Sequence, residues 1–256
     1  MAGVLDLFRL DDQIAVVTGG GTGIGRAMAL GLAEAGADVV VAGRRPDPLS
    51  AVAAEIAAVG RRSLAISTDV TATVELERLA ARTVEAFGPV SIWINCAGGL
   101  QGDPMGKVPD ISEEVWHSVV DRNFTSIFLA SKVALTVLRD GGTIINVSSI
   151  AGSRSGAPGH SVYSAAKAAV NHFTQSLSLE CAARGIRVNA VAPGTVATED
   201  YYEASGFTDA QFAKLATKQP LSRLGNDDDF KAVAVYLASP AASWVTGQII
   251  TVSGTP

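Results

Sequence analysis

Short β-branched runs alternate along this chain with longer, Ala- and Leu-rich stretches of helical character. The runs predict strands near Ile14–Thr18, Asp38–Ala42, Ser63–Ser67, Val90–Asn95, Thr143–Val147, Arg187–Ala192 and Ile249–Val252, with helices in the gaps. Gly36, Gly60 and Gly185 stand where a helix can end on a residue of left-handed backbone. Strand–helix alternation of this kind is the signature of an α/β, doubly wound fold: about seven parallel strands, with helices on both faces. No internal repeat, low-complexity tract or linker divides the chain, so a single domain over residues 1–256 is expected.

Placed on these strands, the unusual residues converge. The glycine loop follows the first strand, Arg44 the second, Asp69 the third, Asn95 the fourth, Ser148 and Ser149 the fifth, and Pro193-Gly194 the sixth. All six lie at carboxyl ends, the edge at which open parallel sheets bind ligands.

The loop "TGGGTGIG", Thr18 to Gly25, sits between a strand and a helix. Glycines at 19, 23 and 25 permit a tight turn, bring backbone N–H groups to a pyrophosphate and let the helix pack close to the sheet. A tight strand-to-helix turn is the bland alternative; the position points instead to a dinucleotide held by Gly19, Gly21, Thr22, Gly23, Ile24 and Gly25. The second strand, "VVVAGRR", ends without an acidic residue to accept from a ribose diol. Arg44, with Arg45 beside it, suits the 2′-phosphate of NADP, because a guanidinium fork matches phosphate geometry. The other reading is two solvated loop arginines, and NAD stays open.

Composition narrows the partners. The chain has 256 residues, of which 48% are hydrophobic and 18% charged, and carries a net charge of −5. Without a basic block, nucleic acid and anionic membranes are not expected as partners. No apolar run reaches the ~18–20 residues of a membrane span, and "MAGVLDLFRLDDQ" does not read as a signal peptide, so a soluble, cytoplasmic protein is expected. Cys96 and Cys181 read as buried free thiols, and His117, His160 and His172 lack metal-ligand spacing.

Tyr163 and Lys167 are four residues apart and share a helix face. A free tyrosine is a poor base at neutral pH; the Lys167 cation would lower its pKa and fit it for acid/base work. A hydroxyl just beyond the fifth strand would hydrogen-bond a substrate oxygen. A surface pair on an amphipathic helix is the bland reading of Y-x-x-x-K.

Taken together, "TGGGTGIG", "DV" at 69–70, "NCAG" at 95–98, Asn123, "SS" at 148–149, "YSAAK" at 163–167 and "PGTVAT" at 193–198 resemble the short-chain dehydrogenase/reductase family over nearly the whole chain. The resemblance implies a Rossmann-like domain, usually a homotetramer, that transfers hydride between a nicotinamide cofactor and a carbonyl or alcohol. It implies that Asp69 and Val70 contact the adenine, that Asn95, Ala97 and Gly98 belong to the cofactor site, and that Pro193, Gly194, Val196 and Thr198 lie at the carboxamide. It assigns Tyr163 as general acid/base, Lys167 to the nicotinamide ribose, Asn123 to a proton-relaying water and Ser149 to the substrate oxygen. The spacing from Ser149 to Tyr163 is one residue longer than the family's commonest, which keeps Ser148 in play; Ser153, Ser155, Ser161 and Ser164 fit turns, a helix cap and packing.

The chain also departs from the family pattern. Cys96 replaces the second asparagine of "NNAG", Thr22 stands where many NADP-dependent members have a basic residue, and Ser253 replaces a frequent aspartate near the last strand. Residues 195–225 predict a lid over the nicotinamide end, with Glu199, Asp200, Tyr201, Tyr202, Phe207 and Phe212 either facing an apolar substrate or docking the lid on the body. The acidic "NDDD" at 226–229 reads as a helix start. "LASPAASWVTGQIITVSG" and "NCAGG" are similar to segments of bacterial hydroxysteroid dehydrogenases, so hydroxysteroids and 3-oxoacyl thioesters are the candidate substrates. An enoyl reductase, or an NADP-binding regulatory protein without turnover, is the alternative.

Overall fold

A computed structural model describes residues 3–100, 106–154, 159–199, 201–202 and 206–255. Seven strands form one sheet: β1 (Ile14–Thr18), β2 (Asp38–Gly43), β3 (Ser63–Ser67), β4 (Val90–Asn95), β5 (Leu138–Val147), β6 (Arg187–Pro193) and β7 (Ile249–Val252). All pair in parallel, in the order β3-β2-β1-β4-β5-β6-β7. Strand order therefore reverses between β1 and β4, which opens a crevice at their carboxyl ends.

The helices are α1 (Gly23–Glu34), α2 (Pro46–Ala58), α3 (Thr73–Phe87), α4 (Glu113–Val120), α5 (Ser126–Val137), α6 (Ser161–Cys181), α7 (Asp209–Ala216) and α8 (Lys231–Ala238). Because successive strand residues point to opposite faces, the apolar runs feed two cores. Val17, Val39, Val41 and Ile94 meet Met28 and Leu32 of α1, Leu49 and Ile56 of α2 and Leu237 of α8. Val16, Val40, Trp93 and Ile144 meet Leu76 and Leu79 of α3, Val133 of α5 and Leu177 of α6. A continuous apolar strand is what burial on both faces requires, and the seven-stranded, single-domain α/β expectation holds.

Four of the seven strand boundaries match the sequence pattern to the residue, and two run one residue further. The exception is β5, which starts at Leu138 rather than Thr143. Its pairing with β4 slips between Val90 and Ile92, so the polar "RDGG" joins the strand through an irregularity that alternation does not reveal. Gly36, Gly60 and Gly185 all have positive φ just past helical segments, as expected. Asn226 and Asp229 form a reciprocal cap, so "NDDD" does begin a helical turn that runs into α8.

Candidate active site

The glycine loop is held by contacts that leave no room for side chains. At Gly19, with φ of +67°, a Cβ would lie 2.8 Å from the backbone nitrogen of Ala97. At Gly25 a Cβ would run into the carbonyl of Gly19, with the carbonyl carbon at 2.7 Å. Thr18 completes the junction: its hydroxyl donates to Ile94 O (3.3 Å) and accepts from the N–H groups of Cys96 (3.1 Å) and Ala97 (3.3 Å). The turns after β1 and β4 are thus locked to each other where strand order reverses. α1 starts at Gly23 without an acidic residue in its first turn, and Thr22 makes no side-chain cap to it. Its first N–H groups and dipole accordingly favour an anion at the loop.

A cleft of about 1300 Å³ runs along this edge. That exceeds the ~300–1,000 Å³ of a pocket for one drug-sized ligand and suits a dinucleotide with a second molecule beside it. Every sequence-predicted cofactor residue except Asn95 lines it, as do Ser149, Tyr163 and Lys167. At one end Arg44 and Arg45 flank the glycine loop, and the Arg45 guanidinium makes a long 3.4 Å hydrogen bond to Thr22 Oγ1. Arg45 thereby brings a cation to the very position where the sequence shows a threonine. Asp69 accepts from Thr71 N (2.9 Å) and Thr71 Oγ1 (2.7 Å), which holds its carboxyl below the usual range, with Arg44 assisting. The residues fit a dinucleotide phosphate and ribose at this end.

At the other end α6 presents Tyr163 one turn before Lys167. Ser149, the N-cap of the short turn after β5, accepts from Ala151 N at 3.2 Å and lines the cleft with Tyr163, whose phenol its side chain pulls down in pKa. Ser148 points elsewhere: it is buried and its hydroxyl donates to Lys167 O at 3.1 Å. Both hydroxyls thus have separate tasks, and Ser149 alone of the two meets the tyrosine. Ser153 accepts from Asn171, Ser161 begins α6, Ser164 is buried among packing contacts, and Ser155 lies outside the described residues.

Lys167 is 3% exposed; its ammonium donates to Val147 O at 3.0 Å and lies 5.7 Å from the centroid of the Tyr163 ring. Burial pushes its pKa down to about 8. Burial also raises the Tyr163 phenol, against a counter-pull from the Ser149 hydrogen bond. In the protein by itself, both members of the pair are held towards neutrality.

Asn95 and Asn123 lie just behind the cleft wall. Neither side chain lines the cleft. Asn95 accepts from Trp93 Nε1 (2.8 Å) and donates to Ser131 (3.0 Å) and Asn146 (2.9 Å), and Asn146 continues to Thr174, so a buried polar chain ties β4 and β5 to α5 and α6. Asn123 sits in a π-helical turn between α4 and α5, accepts from Gly99 N (2.9 Å) and donates to Gly99 O and Val119 O (3.0 Å each). It clamps the Gly98–Gly99 backbone beside Lys167. Cys96 is a correction: it is partly exposed in the cleft wall rather than buried, although desolvation still pushes its thiol up to about 12. Cys181 is buried as expected.

The segment after β6 leaves and returns at one point, since Ala197 N donates to Gly225 O (2.9 Å) and Gly225 N to Thr195 O (3.0 Å). Its aromatics gather on themselves. Phe212, 3% exposed, is met by Tyr202 at 3.8 Å and by Tyr201 and Phe207 at 5.7 Å each between ring centroids. Of these rings Tyr201 lines the cleft, joined there by Leu215. Docking of the segment on itself therefore accounts for most of its aromatics; Asp200 lies outside the described residues. Sequence reasoning missed Thr18, Thr68, Arg122, Arg154 and His160, all at or near the cleft. Thr18 and Thr68 have a usable signal, a hydroxyl at a strand's carboxyl end. The others sit in irregular turns, where no periodicity marks them.

Comparison with known proteins agrees with this geometry. A family model described as enoyl-(acyl carrier protein) reductase matches residues 19–254. An uncharacterized oxidoreductase of Mycobacterium tuberculosis is 39% identical over 253 residues, covering 98% of this chain and 94% of the relative. Among solved structures, a 7α-hydroxysteroid dehydrogenase complexed with NADH and 7-oxo glycochenodeoxycholic acid is 34% identical with a TM-score of 0.90, covering 99% of this chain and 97% of that one. A short-chain dehydrogenase from Burkholderia cenocepacia in complex with NADP is 33% identical with a TM-score of 0.86, covering 96% and 98%. With the glycine loop at the switch point and the serine–tyrosine contact at the end of the same cleft, the chain belongs to the short-chain dehydrogenase/reductase family of NAD(P)-dependent oxidoreductases.

Proposed function

We propose that the protein interconverts a secondary alcohol and a ketone, with Tyr163 as general acid/base. The observation that carries this reading is that Ser149, Tyr163 and Lys167 line the same end of the cleft, with the Lys167 ammonium 5.7 Å from the Tyr163 ring centroid. A substrate oxygen placed between the two hydroxyls receives a hydrogen bond from Ser149 and exchanges its proton with Tyr163. NADP(H), when bound, supplies or takes up the hydride. Lys167 orients the nicotinamide ribose, and its positive charge near the phenol favours the phenolate needed for oxidation. Asn123 acts by holding the Gly98–Gly99 backbone under that end of the cleft.

NADP is favoured over NAD by Arg44 and Arg45 at the β2 end and by the lack of an acidic residue there. Residues 195–225 act as a lid that brings Tyr201 and Leu215 against the substrate. Bulky apolar ketones fit such a wall, and the 7-oxo bile acid bound by the structural neighbour makes oxosteroids the first class to try, followed by 3-oxoacyl thioesters. The matched family model is described by an enoyl reduction, which acts on C=C bonds; a serine beside the tyrosine suits a carbonyl oxygen better. The protein works in the cytoplasm as a homotetramer.

Initial rates with NADPH and NADH across oxosteroids, 3-oxoacyl thioesters, diketones and enoyl thioesters test the reading. Ketone reduction preferring NADPH is expected. Turnover of enoyl thioesters alone would replace the carbonyl assignment, and a preference for NADH would remove Arg44 and Arg45 as phosphate readers.

A further inference from the structure

The substrate end of the cleft carries a charge that hydride transfer does not use. Arg154 lines the cleft from the turn between Ser149 and Tyr163, on an exposed stretch, while its guanidinium reaches the C-terminal tail: 3.5 Å to Thr255 Oγ1 and 3.4 Å to Thr255 O. Both bonds are long. The tail itself is well fixed. Thr255 N donates to Ser253 Oγ at 3.1 Å, the two hydroxyls lie 2.8 Å apart, and Ser253 packs on Gly194, whose N–H donates to Val252 O at 2.9 Å. Ser253 stands where the family often has aspartate, and the Thr255 groups that Arg154 reaches are a hydroxyl and a backbone carbonyl.

Sheet order puts this guanidinium far from the cofactor phosphates. Arg44 and Arg45 follow β2, on one side of the β1–β4 switch point, whereas the Thr255 tail follows β7 at the opposite edge. Arg122 and His160 also line the cleft; Asp121 is the acidic residue lining it on this side among the described residues, and its carboxylate accepts from Thr125 Oγ1 at 2.9 Å. Among the described residues, the Arg122 and Arg154 guanidiniums outnumber the carboxylate at the substrate end of a protein whose net charge is −5.

We infer that Arg154, steadied by the Thr255 tail, binds an anionic group of the substrate remote from its carbonyl, so that the substrate class is ketones or alcohols bearing a carboxylate or a phosphate ester. The inference rests on the alcohol/ketone reading and names its substrate class. A guanidinium at a cleft mouth draws such a group in and holds the end away from the reacting carbon, which adds affinity shared by ground state and transition state and so lowers KM.

Two matched pairs test it with NADPH: an oxosteroid carboxylic acid against its methyl ester, and a 3-oxoacyl coenzyme A against the uncharged N-acetylcysteamine thioester. For the pair whose anion is used, the wild type should show a KM about tenfold lower for the charged member, and Arg154→Gln should erase that difference while leaving kcat within about twofold. Arg154→Lys should restore part of it. Calorimetric titration of the same acids into the enzyme–NADP⁺ complex reads binding without turnover, with the same loss expected in Arg154→Gln. Which pair responds tells carboxylate from phosphate. Equal KM and equal affinity for charged and neutral members, or a difference that survives Arg154→Gln, overturns the inference while the reduced esters leave the carbonyl reading standing. If no ketone is reduced but acids bind through Arg154, the anion site stands and the reaction must be reassigned.

Discussion

The two ends of the cleft are built on different principles. At the cofactor end the backbone itself is the binding surface: Gly19 and Gly25 sit against the carbonyls and amides of neighbouring turns, and Thr18 bolts the β1 and β4 loops together. At the substrate end the surface is side chains on two excursions, the 148–163 turn and the 195–225 segment, joined to the body at few points. A cofactor shared by many enzymes needs one preformed shape. A substrate pocket must vary, and loops tolerate change without loss of the core.

The largest effect should come from the point where the two ends meet. Tyr163→Phe keeps the ring and removes the transferable proton, so turnover should fall by about 10²–10⁴-fold while NADPH binding, read by fluorescence titration, stays within a few fold. Preserved turnover would remove Tyr163 from the proton path. Next comes the rigid end. Gly25→Ala forces a Cβ into the Gly19 backbone, which has no flexible tip to yield, and should cost about 1–3 kcal/mol of stability together with most cofactor affinity. A variant that melts with the wild type and binds NADPH normally would show that the junction is softer than its contacts indicate.

The substrate end should respond in the opposite way. Phe212→Ala empties the centre of the aromatic cluster in 195–225, a segment whose two ends pair with each other at Thr195, Ala197 and Gly225. Proteolysis within the segment should accelerate and the KM for a ketone rise severalfold, with little change in the melting temperature. Global destabilisation equal to that of a core residue would erase the contrast between the ends.

The smallest effect is a slope. Lys167 has a folded pKa of about 8, below the 10.5 of a free lysine. Between those values the unfolded chain binds more protons than the folded one, so this group's contribution to stability rises with pH across that window and is least favourable below pH 8. In the cofactor-free protein, the wild type should gain on Lys167→Met as pH is raised from 8 towards 10, measured by denaturant titration. A constant difference would place the ammonium in water.

Much of the molecule was legible as sequence. Strands buried on both faces must be apolar throughout, so β1 and β4 could be bounded to the residue from their apolar runs, and the half-buried edge strands β3 and β7 from short runs closed by polar residues. β5 could not, because its first half is polar and joins through a slipped register with β4. The glycine loop and the Tyr163–Lys167 pair were legible because a tight turn and a helix face are local, set by neighbours a few positions away. Asn95 and Asn123 were legible as residues but their partners were not: the amides are held by Ser131, Asn146 and Gly99, which come from distant parts of the chain.

The same boundary separates the remaining features. The chain alone determined the α/β order, the edge of the sheet that carries the chemistry and the residue types gathered there, since these follow from short-range periodicity and from the rule that parallel strands end on one side. Only the tertiary structure decided between Ser148 and Ser149 as partner of the Tyr163 hydroxyl, turned the lid aromatics largely onto Phe212 and set Arg154 against the C-terminal tail. Each of those outcomes depends on the direction of a side chain relative to an element far away in sequence, and desolvation at the meeting point, as at Lys167, has no counterpart in the unfolded chain.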